Sequence, residues 1–443
     1  VTGAALLGVR TVGGILCNSV RFRRFTRPLA KLSALLVMAA FVGIWLDAAA
    51  VIWRMSIEGA RPLAAETRDP DQLRDVEALN DHDIAELAAW VDRTGRSPAD
   101  YAVEKARQHQ LVLFGERHLM QQELDLLHEL IPRLYEEAQV TVVAMEFFQP
   151  HENRAMLEVV TAPTFDRDAA LDIARRSDVW AYWGYEGYWR VLETVWRVNQ
   201  NAPDGREPMR IIGIGSSFDG ASMALAGMIP WSPSGPPWER LRLARYLALG
   251  FPEQLSHEAR MARELETEVF DTHERAIAWV GANHALLRIA AVGQVRAPAG
   301  TGRLGFLIAQ RHPSDVFAVH LHREFRRTGD TPGGLTSTLE RVMREQDSPV
   351  GFDVDASPFA NLRDGHSLLF RDPRISMSDL ASGYVFLGPV DQLTGCSWTP
   401  GYITESMFVA HRPFYEAWGE KYGVDVRSAA EADALFAGLD EPP

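Results

Sequence analysis

Cysteine is scarce: the 443 residues hold two, Cys17 and Cys396. That excludes a disulfide framework and a multi-cysteine zinc or iron–sulfur site. A lone thiol in each half reads as packing. No CxxCH occurs, so covalent haem attachment is excluded as well. Lysine is also rare, with Lys31, Lys105 and Lys421 set against 42 arginines, a bias of genome composition rather than of function. No GxxxxGK[ST], GxGxxG or GxSxG is present, which leaves phosphate-loop and serine-elbow chemistry without support. No repeat of fixed period occurs. What remains is an ordinary globular balance, 47% apolar and 23% charged, and this rules out disordered, collagenous and low-complexity classes.

Charge is unevenly placed. Residues 1–31 contain Arg10, Arg21, Arg23, Arg24, Arg27 and Lys31 and no acid, a charge of +6; against the total of −14, the remainder carries −20. An acidic body repels phosphate backbones, so nucleic acid is not an expected partner. Behind the basic segment runs Leu32–Leu46, 15 residues without a charge, continuing past Asp47 to Trp53. The order is that of an export signal, and Ala48–Ala50 suits a cleavage site. Leu32–Trp53 is equally long enough, at about 20 residues per span, to remain as a single membrane anchor. Positive charge stays inside. The body is therefore expected outside the cytoplasm, on the cell membrane if the segment is retained, secreted or periplasmic if it is cleaved. A buried core helix is the bland alternative, but the run is apolar on all sides. Cys17 follows Gly-Ile-Leu, a poor lipoprotein context. Residues 54–80 are polar and read as a linker, and the folded body is expected over 81–443.

Within the body, short β-rich runs alternate with helical patterns. Strands are predicted at Gln110–Phe114, Val140–Phe147, Met209–Ile214, Arg275–Val280, Val316–His322 and Tyr384–Leu387. Helices are predicted at Asp83–Arg93, Pro98–Gln108, Gln121–Glu137, Gly187–Asn199, Pro252–Phe270 and Leu335–Arg344. Continuous apolar strands separated by helices imply an α/β fold, one large domain with a largely parallel or mixed central sheet covered by helices. In such sheets the ligand crevice lies beyond the carboxyl ends of the strands.

The strand ends carry the chemistry. LVLF runs into Gly115-Glu116-Arg117-His118, and an extended Glu116–His118 puts both side chains on one side. A carboxylate beside an imidazole can activate water, orient a tautomer or share a metal. Glu146 lies in the apolar VTVVAMEFF, where a carboxylate needs a histidine, an arginine or a metal as partner. ERAIAWVGA ends at Asn283-His284, and Arg260 lies on a long helix from which it can face the same crevice. Trp180, Trp183 and Tyr185 precede a helix and can form an aromatic wall; Trp189 and Trp196, seven apart, read as core. His320 and His322 share a strand face that suits a metal, without a third ligand nearby in sequence.

LVLFGERH, VVAMEFFQPHENRAML, WGYEGYWRVLETVWRVNQ with MRIIGIG, and EARMAREL…AIAWVGANHALLR together resemble the superfamily of erythromycin esterase-like, ChaN-like haem-binding and Tiki/TraB proteins. The resemblance spans about residues 108–290. By position it implies Glu116, His118, Glu146, Arg260 and His284 as catalytic residues. Trp180, Trp183, Tyr185 and Arg288 are the candidate substrate contacts. The esterase-like branch implies water activation for ester hydrolysis, the Tiki branch a metal-dependent peptidase, and the ChaN branch haem binding in iron uptake. The single residue between Glu116 and His118 is similar to ChaN-like sequences, and the Trp-rich helix and WVGANH to the esterase-like ones. The expectation is a hydrolase of ester or peptide bonds, with haem binding without turnover as the alternative. The cofactor, a divalent metal or haem, stays open, as does the oligomeric state; the partner is a small molecule, a peptide or haem.

Overall fold

In the computed structural model, the described residues are 69–178, 183–215, 257–289, 302–325, 327, 334–344, 346 and 348–439. The basic segment, the apolar run Leu32–Trp53 and Trp180 lie outside them. No helix among the described residues is long and apolar enough to cross a membrane.

Among the described residues nine strands form: β1 Arg74–Asp75, β2 Leu111–Glu116, β3 Val142–Met145, β4 Arg210–Gly213, β5 Ala276–Gly281, β6 Val316–Leu321, β7 Val350–Asp353, β8 Leu362–Arg363 and β9 Gly383–Phe386. Seven make one sheet in the order β4-β3-β5-β2-β6-β9-β7. All its neighbours are parallel except β7, which pairs antiparallel with β9. The expected α/β class with a mixed, mainly parallel sheet is therefore what forms. Strands β2, β5 and β6 are buried along their whole length, as a sheet covered on both faces requires.

The covering helices start and stop where their sequences direct. Helix Pro98–Gln108 opens with Pro at its first turn and with the Ser97 hydroxyl accepting from the Asp100 amide at 3.2 Å. Helix Gln121–Ala138 buries Leu124, Leu127, Leu130, Ile131 and Leu134 along one face and ends at Gln139 in the left-handed region. Each such side chain contributes roughly 1.5–3 kcal/mol on burial. An exposed ion pair such as Arg154–Glu158 contributes about 0–1. The sheet–helix layers therefore hold the fold.

Several boundaries differ from the sequence-based expectation. β3 stops at Met145, so Glu146 is the first residue beyond the strand rather than within it. The helix expected over 187–199 is divided at Arg190 into Glu186–Trp189 and Val191–Gln200. β7 had no counterpart in the expected strands. The end of the expected linker is already part of the body: β1 pairs with β8, Val76 is buried, and the Asp75 carboxylate accepts from the Gly365 amide at 3.0 Å.

Candidate active site

The sheet order brings three strand ends together. β3, β5 and β2 are successive neighbours, with Met145 opposite Trp279, Phe114 opposite Trp279, and Glu116 opposite Gly281. One step further along each chain lie Glu146, Arg117–His118 and Ala282–His284. Residues far apart in sequence meet there because parallel strands end at one level.

Glu116 is the fixed point. Its side chain is 3% exposed, whereas that of His118 is 39% exposed. Trp279 Nε1 donates to Glu116 Oε2 at 2.5 Å, Tyr188 Oη donates to Oε1 at 2.8 Å, and His118 Nδ1 lies 2.7 Å from Oε1. Tyr188 Oη also accepts from the Leu119 amide at 2.9 Å, so its own proton is the one directed at Glu116. An indole only donates, and an ionised carboxylate only accepts. His118 Nδ1 must then carry the proton, which leaves the lone pair on Nε2. Enclosure pulls the His118 pKa down. The hydrogen bond and charge of Glu116 outweigh it and hold the imidazole above the ordinary histidine value.

The backbone beside His118 is held from several sides. Leu119 adopts φ 68°, a region costly for a branched side chain. Its amide is bound by Tyr188, its carbonyl accepts from the Cys396 amide at 3.0 Å, and the Arg117 amide is bound by Glu123 Oε2 at 2.8 Å. Glu123 is fully buried, and burial pushes its carboxyl well above the usual range.

A second group faces the first. Glu146 Oε2 accepts from the Gly281 amide at 2.8 Å, and Oε1 lies 3.1 Å from His284 Nε2 and 4.0 Å from His257 Nε2. His284 Nδ1 meets Glu258 Oε2 at 2.9 Å. Glu258 is held in turn by Arg303 at 2.5 Å and by the Leu304 amide at 2.8 Å. Burial disfavours charge on all of these groups, yet their mutual attraction prevails. His284 is pushed up to about 10, Glu146 is held well below the carboxylate range, and Glu258 is lowered. The site thus sets a half-exposed imidazole against one buried Glu side chain and a second imidazole between two others.

The structure thus brings Glu116, His118, Glu146 and His284 together. Arg260 lies half-buried on the helix 257–265, one turn after His257. Trp183 sets its ring edge-on to His118 at 5.1 Å and lies parallel to Phe147 at 6.3 Å, so it lines the crevice. Tyr185 does not reach the crevice wall as expected: it is 3% exposed and packed edge-on to Trp398 at 5.1 Å. Arg288 is committed elsewhere, in a two-pronged pair with Asp355 at 2.7 and 2.6 Å. The expected histidine pair of β6 is also engaged otherwise. His320 stacks between Phe325 and Tyr384, and His322 Nδ1 lies 2.6 Å from the Tyr384 hydroxyl. Sequence reasoning missed Tyr188, Trp279, His257, Glu258 and Arg303. The dipeptide His257-Glu258 at the head of EARMAREL was the available signal.

No family model matches the chain, and no curated protein does. Among solved structures the chain is similar to a succinoglycan biosynthesis protein, at 12% identity over 70% of this chain and 98% of that one, with a TM-score of 0.47. It is similar to a mutant of erythromycin esterase EreC in its open conformation, at 10% identity over 66% and 94%, TM-score 0.41. It is also similar to ChaN of Campylobacter jejuni with cofacial haem bound, at 14% identity over 53% and 87%, TM-score 0.31. An esterase and a haem-binding protein thus both stand among the similar structures.

Proposed function

We propose that the protein is a hydrolase of ester or peptide bonds in which His118 is the general base. The observation that carries this reading is the 2.7 Å contact of His118 Nδ1 with Glu116 Oε1. Trp279, Tyr188 and His118 Nδ1 converge on Glu116, and with the Nδ1 proton directed at that side chain Nε2 keeps its lone pair. Water attacking an acyl carbon gives its proton to Nε2. Glu116 stabilises the imidazolium so formed, and Nε2–H then returns the proton to the departing oxygen or nitrogen. An imidazole whose protonated form is favoured by a neighbouring carboxyl group suits this exchange. Glu146 and His284 position the water or assist the leaving group, Arg260 stabilises the developing oxyanion, and Trp183 with Phe147 receives an apolar part of the substrate.

The alternative of haem binding without turnover needs a flat apolar face beside a Tyr or His ligand. Trp183 and Phe147 offer part of such a face. Against it, Glu146 and Glu258 put carboxylates on the other side of the crevice, where a haem ring would meet charge. A haem titration that leaves the spectrum of free haem would remove this alternative.

The test is a panel of aryl esters, alkyl esters and peptides with the purified protein and its His118→Ala variant. The expected outcome is turnover that falls by about 10²–10⁴ in the variant, with an unchanged near-ultraviolet circular dichroism spectrum. Undiminished turnover, or loss of the fold, overturns the role of His118. We further place the body outside the cytoplasmic membrane, on the strength of the basic segment preceding Leu32–Trp53. Protection of the body from protease added to intact cells would refute that placement.

A further inference from the structure

The geometry points to a divalent transition-metal site formed by Glu146 Oε1, His257 Nε2 and His284 Nε2, with Glu258 as the outer residue that orients His284. It deepens the hydrolase reading by assigning a cation to the same crevice, but its own evidence is geometric.

The three donor atoms all lie within 4.8 Å of one another. They come from three places in the chain: just beyond β3, the helical residues 257–265, and the turn after β5. A tetrahedral shell with ligands at 2.0–2.2 Å separates its donors by about 3.4 Å. The spacings from Glu146 Oε1, 3.1 Å to His284 and 4.0 Å to His257, bracket that value, so small side-chain rotations close the set. Two imidazoles and one carboxylate suit zinc, cobalt, iron or manganese, and three protein ligands leave at least one position open.

Hydrogen bonds prepare two of the three ligands. Glu146 Oε2 is taken by the Gly281 amide, and this aims Oε1 at the two imidazoles. His284 Nδ1 is held by Glu258, so Nε2 is the nitrogen turned to the other two donors and the one whose proton an arriving cation would displace. Glu258 is anchored by Arg303 and the Leu304 amide, so it orients His284 without being free to compete as a ligand. A carboxylate on the far nitrogen of a ligating histidine is the usual outer arrangement of such sites. A simple ion pair explains Glu146 with one histidine; it does not explain why His257 aims a second imidazole nitrogen at the same carboxylate oxygen. The two neighbours His257 and Glu258 thus serve different halves of one site, the first as a ligand and the second through His284.

The test uses chelator-treated full-length protein and Co²⁺ as the probe, followed by calorimetry and by the visible ligand-field bands. Wild type is expected to bind one Co²⁺ per chain and to show paramagnetic shifts of the His257 and His284 ring signals. His257→Ala, and His257→Gln should the alanine variant misfold, lose the bands. Glu258→Gln keeps one site but binds about 10–100-fold more weakly. His118→Ala still binds Co²⁺. Absence of stoichiometric binding in wild type, or bands and ring shifts unaffected by either His257 variant, overturns the site. Hydrolysis that persists without bound Co²⁺ would sink the metal while leaving the hydrolase standing. Co²⁺ bound as described without turnover of any ester or peptide would do the reverse.

Discussion

His118 and His284 both approach Gly281 where its side chain would stand. A Cβ placed on Gly281 would lie 2.6 Å from His118 Nε2 and 3.4 Å from His284 Cδ2. Absence of a side chain at this one residue of β5 lets the two imidazoles share the crevice, and the same residue donates its amide to Glu146.

Gly281→Ala is therefore expected to move a ring rather than the sheet. The contact under 3.0 Å is with the outer edge of a half-exposed imidazole, which can swing aside. Stability should change by less than about 1–3 kcal/mol, the usual cost of overpacking. If His118 is the base, turnover should fall far more than stability does, because a 1 Å misplacement alone can cost about 10²-fold. Urea denaturation beside ester hydrolysis would separate the two. Full activity in a well-folded Gly281→Ala variant would show that Nε2 does not act from its observed position.

Tyr188→Phe keeps the ring and removes one hydroxyl that serves two masters. Glu116 loses a donor in a buried place, and the Leu119 amide loses its acceptor next to a backbone at φ 68°. Leaving buried polar groups unpaired costs about 1–3 kcal/mol. The denaturation midpoint should fall by that free energy divided by the slope, with the slope itself unchanged. An unaltered midpoint would mean that water replaces the hydroxyl and that Glu116 is less enclosed than its 3% exposure implies.

The parts of the site that were legible in the sequence are those that obey one rule: polar residues at or just beyond the carboxyl ends of apolar parallel strands face the crevice. Glu116, His118, Glu146 and His284 all satisfy it. Tyr188 and Trp279 do not announce themselves, because an aromatic in a buried strand or helix reads as core and only its N–H or O–H, visible in three dimensions, reveals the second task. Arg288 is the opposite case. It follows His284 by four residues, but its guanidinium turns to Asp355. β7 was missed because VGFD is too short to show a period, and its antiparallel pairing is decided by β9 rather than by its own residues.

Arg288→Ala should consequently destabilise without touching chemistry. The arginine pairs both prongs with Asp355 and also donates to the Ser378 carbonyl and to Ser382 Oγ at 3.2 Å. Hydrogen bonds to charged groups contribute about 1.5–3 kcal/mol, and partial exposure moves this pair to the lower end. Arg288→Lys should not restore the loss, since an ammonium cannot reproduce the fork. Thermal unfolding measures the first effect. A large rise in KM at unchanged stability would return Arg288 to the substrate contacts.

The charged set around His284 predicts a stability profile with a definite sign. His284 faces Glu146 and Glu258, with His257, His118 and Arg303 around them. Its folded pKa is about 10, against about 6.5 for an unfolded chain. A raised pKa means that the folded state holds the proton more tightly. The stabilisation is then complete below pH 6.5, declines as pH rises, and is gone above about 10. Glu146 and Glu258 are depressed, so their contribution is present above their ordinary value near 4.5 and is lost as pH falls through the folded one. The stability difference between chelator-treated wild type and His284→Gln should therefore be largest between about pH 5 and 6.5 and shrink steadily towards pH 10. A difference that stays level across that alkaline range would mean that His284 is neutral in the folded protein, with Glu258 merely accepting from Nδ1–H and Glu146 taking its compensation from the Gly281 amide and His257.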